Sequence, residues 1–98
     1  MFIILLTYKK SLNDIEHYLQ RHRDFLDAGY QKNYFVASGS QIPRTGGVII
    51  SQLIDRKQLD SIIQQDPFYI NDLADYKIIE FTPLKFHQKF EPFLSDNS

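Results

Sequence analysis

Apolar positions along the chain change their period several times, and each change marks an element. Residues 2–8, FIILLTY, are β-branched and aromatic, with apolar side chains on both alternating faces, which predicts a buried strand. Lys9 and Lys10 end it, and Ser11 stands where the N-cap of a following helix belongs. From Leu12 the spacing becomes three and four: Leu12, Ile15, Leu19 and Leu26 share one stripe of a helix predicted over 12–29, with Gly29 near its C-terminal stop. The slot of that stripe between Leu19 and Leu26 holds His22, a titratable ring where the pattern calls for a leucine.

YFVASG (34–39) predicts a second strand and VIISQL (48–53) a third. Their link, SQIPRTG, is loop-like; Gly46 and Gly47 permit a sharp turn, and so short a link favours antiparallel pairing. Asp55 is placed to cap a second helix, RKQLDSIIQQ, that turns Leu59, Ile62 and Ile63 inward. In DPFYINDL, Asp66 ahead of Pro67 marks a break and a new helical turn. YKIIEFT (76–82) is the fourth strand. The core thus spans about 2–82 of one domain covering 1–98, followed by a tail at 83–98 in which Phe86, Phe90 and Phe93 form an apolar stripe, before a polar end, SDNS, expected to fray.

The order β-α-β-β-α-β is the ferredoxin-like split βαβ arrangement: an α+β fold with a four-stranded antiparallel sheet. Right-handed crossovers put both helices on one face of that sheet. The first strand nevertheless offers Phe2, Ile4 and Leu6 to one side and Ile3 and Leu5 to the other, while the fourth splits Ile78 from Ile79 and Phe81. An uncovered apolar face of several hundred Å² is unusual for a monomer, so a homodimer packed sheet against sheet is expected, with the phenylalanine tail docked on the partner or tucked against its own subunit.

Composition narrows the function. Of 98 residues, 43% are hydrophobic and the net charge is −1, enough for a packed core and without a basic patch to meet nucleic acid. Cysteine is absent, which removes disulfides, thiolate nucleophiles and zinc–thiolate sites and favours a cytoplasmic setting. The opening MFIILLTYKK is too short for a signal peptide or a membrane span. His17, His22 and His87 lack metal-ligand spacing, and His17 and His87 fall outside the apolar stripe, so neither a metal nor a cofactor is called for.

Two readings of His22 stand side by side. One is a core-edge histidine bonded to a backbone carbonyl. The other is a general acid or base, since imidazole titrates near pH ~6.5 in water and partial burial or a carboxylate tunes it. The second needs an orienting partner, for which Asp66 is the candidate, although Asp before Pro is also what a plain helix cap looks like. Arg44, beside the glycines of the 40–46 loop, could clamp a carboxylate or phenolate, or serve as a solvated charge or ion pair. Ser38 and Gly39 at a strand end, and Phe68, are candidates for a pocket wall; backbone demands at Gly39 and core packing at Phe68 are the plainer roles. No nucleophile-elbow motif surrounds Ser38, which weighs against a Ser–His–Asp triad.

FIILLTY, HRDFL (22–26), FVASG (35–39), RTGGVII (44–50), DPF (66–68) and YKIIEF (76–81), in that order and spacing, resemble the YciI-like (YCII-related) family over about 2–82. The resemblance implies a ferredoxin-like dimer of the dimeric α+β barrel type with a histidine–aspartate site matching His22 and Asp66. Relatives include a dehydrochlorinase of a chlorinated aromatic ring, and the muconolactone isomerases look similar in fold. Ser40 departs from the proline often found after the ASG turn, which bears on the shape of the pocket wall. The expectation is a His–Asp enzyme of the lyase or isomerase kind acting on a small, anionic or aromatic ligand. A binding or regulatory module that turns nothing over, and a purely structural dimer, are the other classes.

Overall fold

The computed structural model describes residues 1–94; the SDNS end at 95–98, expected to fray, lies outside the described residues. Strand β1 (Phe2–Tyr8) leads into helix α1 (Leu12–Gln31), whose first turn is capped by the Ser11 hydroxyl accepting the Asp14 N–H at 3.2 Å. Strands β2 (Phe35–Ser40) and β3 (Gly46–Ser51) form a hairpin. Helix α2 (Arg56–Ile63) is capped by Asp55 through the Lys57 N–H at 3.0 Å, and the single turn α3 (Pro67–Ile70) by Asp66. Strand β4 (Ala74–Glu80) and a 3₁₀ segment, Gln88–Phe93, complete the chain.

The sheet is antiparallel throughout, in the order β2-β3-β1-β4, so the first strand lies between the third and fourth as the ferredoxin-like arrangement requires. Register sorts the side chains. Ile4 stands opposite Ile49 and Ile78, on the face where Phe2, Ile4 and Leu6 are sealed with Ile15 of α1 and with Leu59, Ile62 and Ile63 of α2. All belong to one core, which places both helices on one face. Each such side chain stabilises the fold by about 1.5–3 kcal/mol. On the opposite face Ile3 stands between Ile50 and Ile79, and Leu5 beside Val48; these are only half-buried, and Ile79 is 40% exposed.

Several boundaries differ from those the pattern predicts. β3 runs two residues earlier than 48–53 because the Ser51 hydroxyl takes the Leu53 N–H at 3.1 Å and turns the chain out of the ladder. β4 starts at Ala74, which pairs with Tyr8, two residues ahead of expectation. Gly46 and Gly47 belong to β3 and not to the turn. A Cβ on Gly46 would run into the Leu6 carbonyl, so the glycine serves close strand approach. Gly29 does not stop α1. It is buried inside the helix against Phe35, and the chain turns at Asn33, whose φ of 61° lies in the left-handed region. Leu12, first of the predicted stripe, is 47% exposed, because the stripe begins to bury only at Ile15. In the tail, Phe93 and Leu94 line a small cleft together with Met1 and Phe81 of the same chain, while Phe86 is 45% exposed. No helix among the described residues is long and apolar enough to cross a membrane.

Candidate functional site

The inner face of α1 carries His22 to the N-terminus of α3. There, 44 residues away in sequence, Asp66 meets it: Nδ1 of the ring lies 2.7 Å from Oδ1 of the carboxyl group. Both residues are interior, at 9% and 0% exposure. The two readings of Asp66 are both satisfied at once. Its Oδ1 also accepts the Phe68 N–H at 3.0 Å, the capping bond of α3, and its carbonyl accepts from Tyr69 and Ile70. The backbone-carbonyl alternative for His22 is not what the fold uses; the partner is a carboxyl group.

A third side chain completes the cluster. The Tyr76 hydroxyl of β4 donates to Asp66 Oδ2 at 2.7 Å. Burial first, and then the Asp66 charge, push the Tyr76 phenol far above its ordinary range, so it stays protonated and remains a donor. Sequence reading treated Tyr76 only as a strand residue. Its signal was there: Tyr76 shares the core face with Ile78, and a phenol indoors needs a polar partner.

The imidazole is clamped by packing as well. Phe68 stacks on it with centroids 4.0 Å apart and planes 4° from parallel, and Phe25 lies beyond at 6.3 Å. Among the described residues Nε2 makes no hydrogen bond within the chain and is not sealed from solvent. The ring borders a cleft of about 740 Å³ between α1 and the β2–β3 hairpin, well within the size range of small-molecule sites.

Five of the six residues singled out from the sequence border this cleft: His22, Ser38, Gly39, Arg44 and Phe68, with Asp66 buried behind the ring. Ser40 borders it too, at the position of the proline departure. Ser38 is not tied to His22. Its hydroxyl pairs with the Tyr30 hydroxyl at 2.7 Å, so no Ser–His–Asp triad forms. Arg44 donates to the Glu16 carboxylate of α1 at 2.6 Å, and that bond above all raises the guanidinium further above its already high value. The ion pair is within the chain. Arg23 and Asp27 add one further charge of each sign to the lining. His17 and His87 are exposed, and His87 caps the 3₁₀ segment through the Lys89 N–H. No group of three or more metal-ligating side chains occurs among the described residues.

Comparison with known proteins follows the same lines. A family model for the YCII-related domain matches residues 1–82. No curated protein matches the chain. Among solved structures, it is similar to 5-chloro-2-hydroxyhydroquinone dehydrochlorinase (TftG) from Burkholderia phenoliruptrix AC1100, in complex with 2,5-dihydroxybenzoquinone, at 16% identity and a TM-score of 0.70, over 91% of this chain and 98% of that one. At that identity the likeness concerns the fold, and it extends over nearly the whole of both chains.

Proposed function

The chain belongs to the YCII-related domain family, and on that footing we propose that it is a cofactor-independent acid–base enzyme of the lyase or isomerase kind, acting on a small hydroxylated or carboxylated compound. The observation that carries the proposal is the His22 ring: tied at Nδ1 to a sealed carboxyl group, flat against Phe68, and bordering the cleft with a free Nε2. With Asp66 accepting the Nδ1–H, Nε2 holds the lone pair and removes a proton from a carbon next to a carbonyl or from a phenol. The electron pair left behind forms the new double bond. A leaving group such as halide departs with its own bonding pair in an elimination, or the imidazolium returns the proton at a second carbon in an isomerisation. Asp66 stabilises the transient imidazolium, as a carboxylate does for a catalytic histidine elsewhere.

Arg44 supplies charge for an oxyanion, and Ser38, Gly39 and Phe68 shape the wall. The dehydrochlorinase of the same fold is captured with a dihydroxybenzoquinone, which makes hydroxylated, halogenated rings the first substrates to try. The uncovered sheet face of Ile3, Leu5, Val48, Ile50 and Ile79 supports the view that the working form is a homodimer joined sheet to sheet.

The test is proton exchange. Incubated in D2O with a panel of chlorinated and hydroxylated benzenes, the protein is expected to place deuterium in, or release chloride from, at least one of them. His22→Asn is expected to lose that activity by about 10²-fold or more. Binding of panel members in the cleft with no proton exchange or chloride release from any of them, or full turnover by His22→Asn, contradicts the proposal, and the first result would favour a binding module.

A further inference from the structure

We propose that Tyr76 is a positioning residue of the dyad: by holding the second oxygen of Asp66, it sets which nitrogen of His22 carries the proton. The inference rests on the acid–base reading of His22 and Asp66. Oδ1 of Asp66 faces the Phe68 N–H at 3.0 Å and Nδ1 of His22 at 2.7 Å, while Oδ2 faces the Tyr76 hydroxyl at 2.7 Å. The Phe68 N–H can only donate. With Tyr76 donating as well, both oxygens of Asp66 are acceptors, and the group is a carboxylate. Nδ1 of His22 must then supply the third proton, which in the neutral ring leaves Nε2 as the acceptor.

Without Tyr76 the count no longer closes. Oδ2 would lie indoors with no donor, and the cheapest remedy is a proton on Asp66 or a rotated carboxyl group. Either change loosens the claim of Oδ1 on Nδ1–H and admits the other tautomer. The location of Tyr76 suits a strut. It is carried on β4, opposite Leu6 of the central strand β1, and Tyr69 of α3 packs against its ring at 5.7 Å. The sheet thereby holds Oδ2, the helix cap holds Oδ1, and α1 brings the imidazole to both. Tyr76 does not border the cleft, so its effect on a ligand passes through His22 alone.

Nitrogen-15 NMR of the full chain labelled at histidine reads the tautomer directly, with His22 assigned by the signal that disappears in His22→Asn. The wild type is expected to show one neutral tautomer protonated at Nδ1. Tyr76→Phe is expected to populate the second tautomer and to speed Nδ1–H exchange by roughly tenfold, the scale of one hydrogen bond to a charged group. Tyr69→Phe, which leaves the carboxylate contact in place, is expected to behave as wild type. A Tyr76→Phe protein with the wild-type tautomer and exchange rate overturns the inference. Asp66→Asn separates the two levels. A His22 tautomer indifferent to Asp66→Asn overturns the dyad and this inference together, whereas one that answers to Asp66→Asn and not to Tyr76→Phe overturns this inference alone. Should Tyr76→Phe fail to fold, the wild type decides: the Tyr76 hydroxyl proton must appear as a slowly exchanging resonance, and rapid exchange with water overturns the proposal.

Discussion

The His22 ring lies face to face with Phe68, centroids 4.0 Å apart, and the backbone N–H of that same Phe68 donates to the Asp66 oxygen that His22 bonds. Helix cap and the His22–Asp66 pair are therefore one structure, and substitutions at Asp66 separate its two contacts. Asp66→Asn keeps an oxygen for the Phe68 N–H, and so keeps the cap, but loses the negative charge beside Nδ1. Asp66→Ala removes both and leaves the Tyr76 hydroxyl indoors without a partner. We expect Asp66→Ala to cost about 3–5 kcal/mol of unfolding free energy and Asp66→Asn distinctly less, measured by urea denaturation. Equal stability of the two variants would show that the cap contributes nothing.

Arg44 does not wait unpaired in the cleft; Glu16 holds it at 2.6 Å. An anionic ligand must share or displace that carboxylate. Both side chains are partly exposed, so water already screens the pair, and Glu16→Gln is expected to tighten binding of a simple probe such as benzoate by roughly a few-fold only. Arg44→Ala is expected to weaken it. Calorimetric titration with benzoate reads both, and a loss of affinity in Glu16→Gln would mean that the ion pair shapes the cleft instead of competing for it.

The upward shift of Tyr76 from its ordinary value of 10.0 gives stability a definite dependence on alkaline pH. Below that value both folded and unfolded chains keep the phenolic proton, and the stabilisation is complete. Above it the unfolded chain releases the proton while the folded one retains it, so stability falls as pH rises, by about 1.4 kcal/mol per unit for this one group. Alkaline difference spectroscopy should find one of the six tyrosines un-ionised until the protein unfolds. Tyr76→Phe should abolish this part of the slope. Ionisation of all six in the folded state would contradict the burial of Tyr76.

Gly29 offers a test in which propensity and packing disagree. Alanine is about 1 kcal/mol better than glycine inside a helix, yet a Cβ at Gly29 would collide with the ring of Phe35, itself 3% exposed and surrounded by Phe25, Tyr30 and Tyr34. With no open side for the ring to move into, packing wins. Gly29→Ala is expected to lose a net 1–2 kcal/mol or so, seen as a lower thermal midpoint. A higher midpoint would show that Phe35 yields.

The apolar face around Ile50 and Ile79 predicts self-association. Sedimentation velocity at micromolar concentration is expected to give a dimer, and Ile50→Lys or Ile79→Lys, each placing charge among Ile3, Leu5 and Val48, is expected to shift it to monomer without loss of helix content. A wild-type monomer, or variants that dimerise unchanged, would remove the argument that this face is an interface.

Much of this was legible in the chain because it depends on near neighbours. The alternation in FIILLTY set the span and both faces of β1, Ser11 and Asp55 sat where caps were expected, and Leu59, Ile62 and Ile63 turned inward as their spacing required. Local grammar misled where a distant atom took over. The glycines at 46–47 read as a turn but serve the approach of β3 to Leu6, and Gly29 read as a stop but makes room for Phe35. His22 was conspicuous as a polar residue in an apolar stripe, and Asp66 as a cap; each property is local, and sequence pattern alone left both plain roles open.

Amino-acid order thus determined the elements, their inward faces and the oddity of an imidazole on one of them, since periodicity and capping are interactions across a few residues. Tertiary structure decided that the α3 cap meets α1, that Tyr76 closes the second oxygen of Asp66, that Ser38 turns to Tyr30, and that Glu16 occupies Arg44. Those contacts join residues from 8 to 44 positions apart. Hydrogen bonding depends on ångström-scale distance and direction, which only the packed sheet and helices supply.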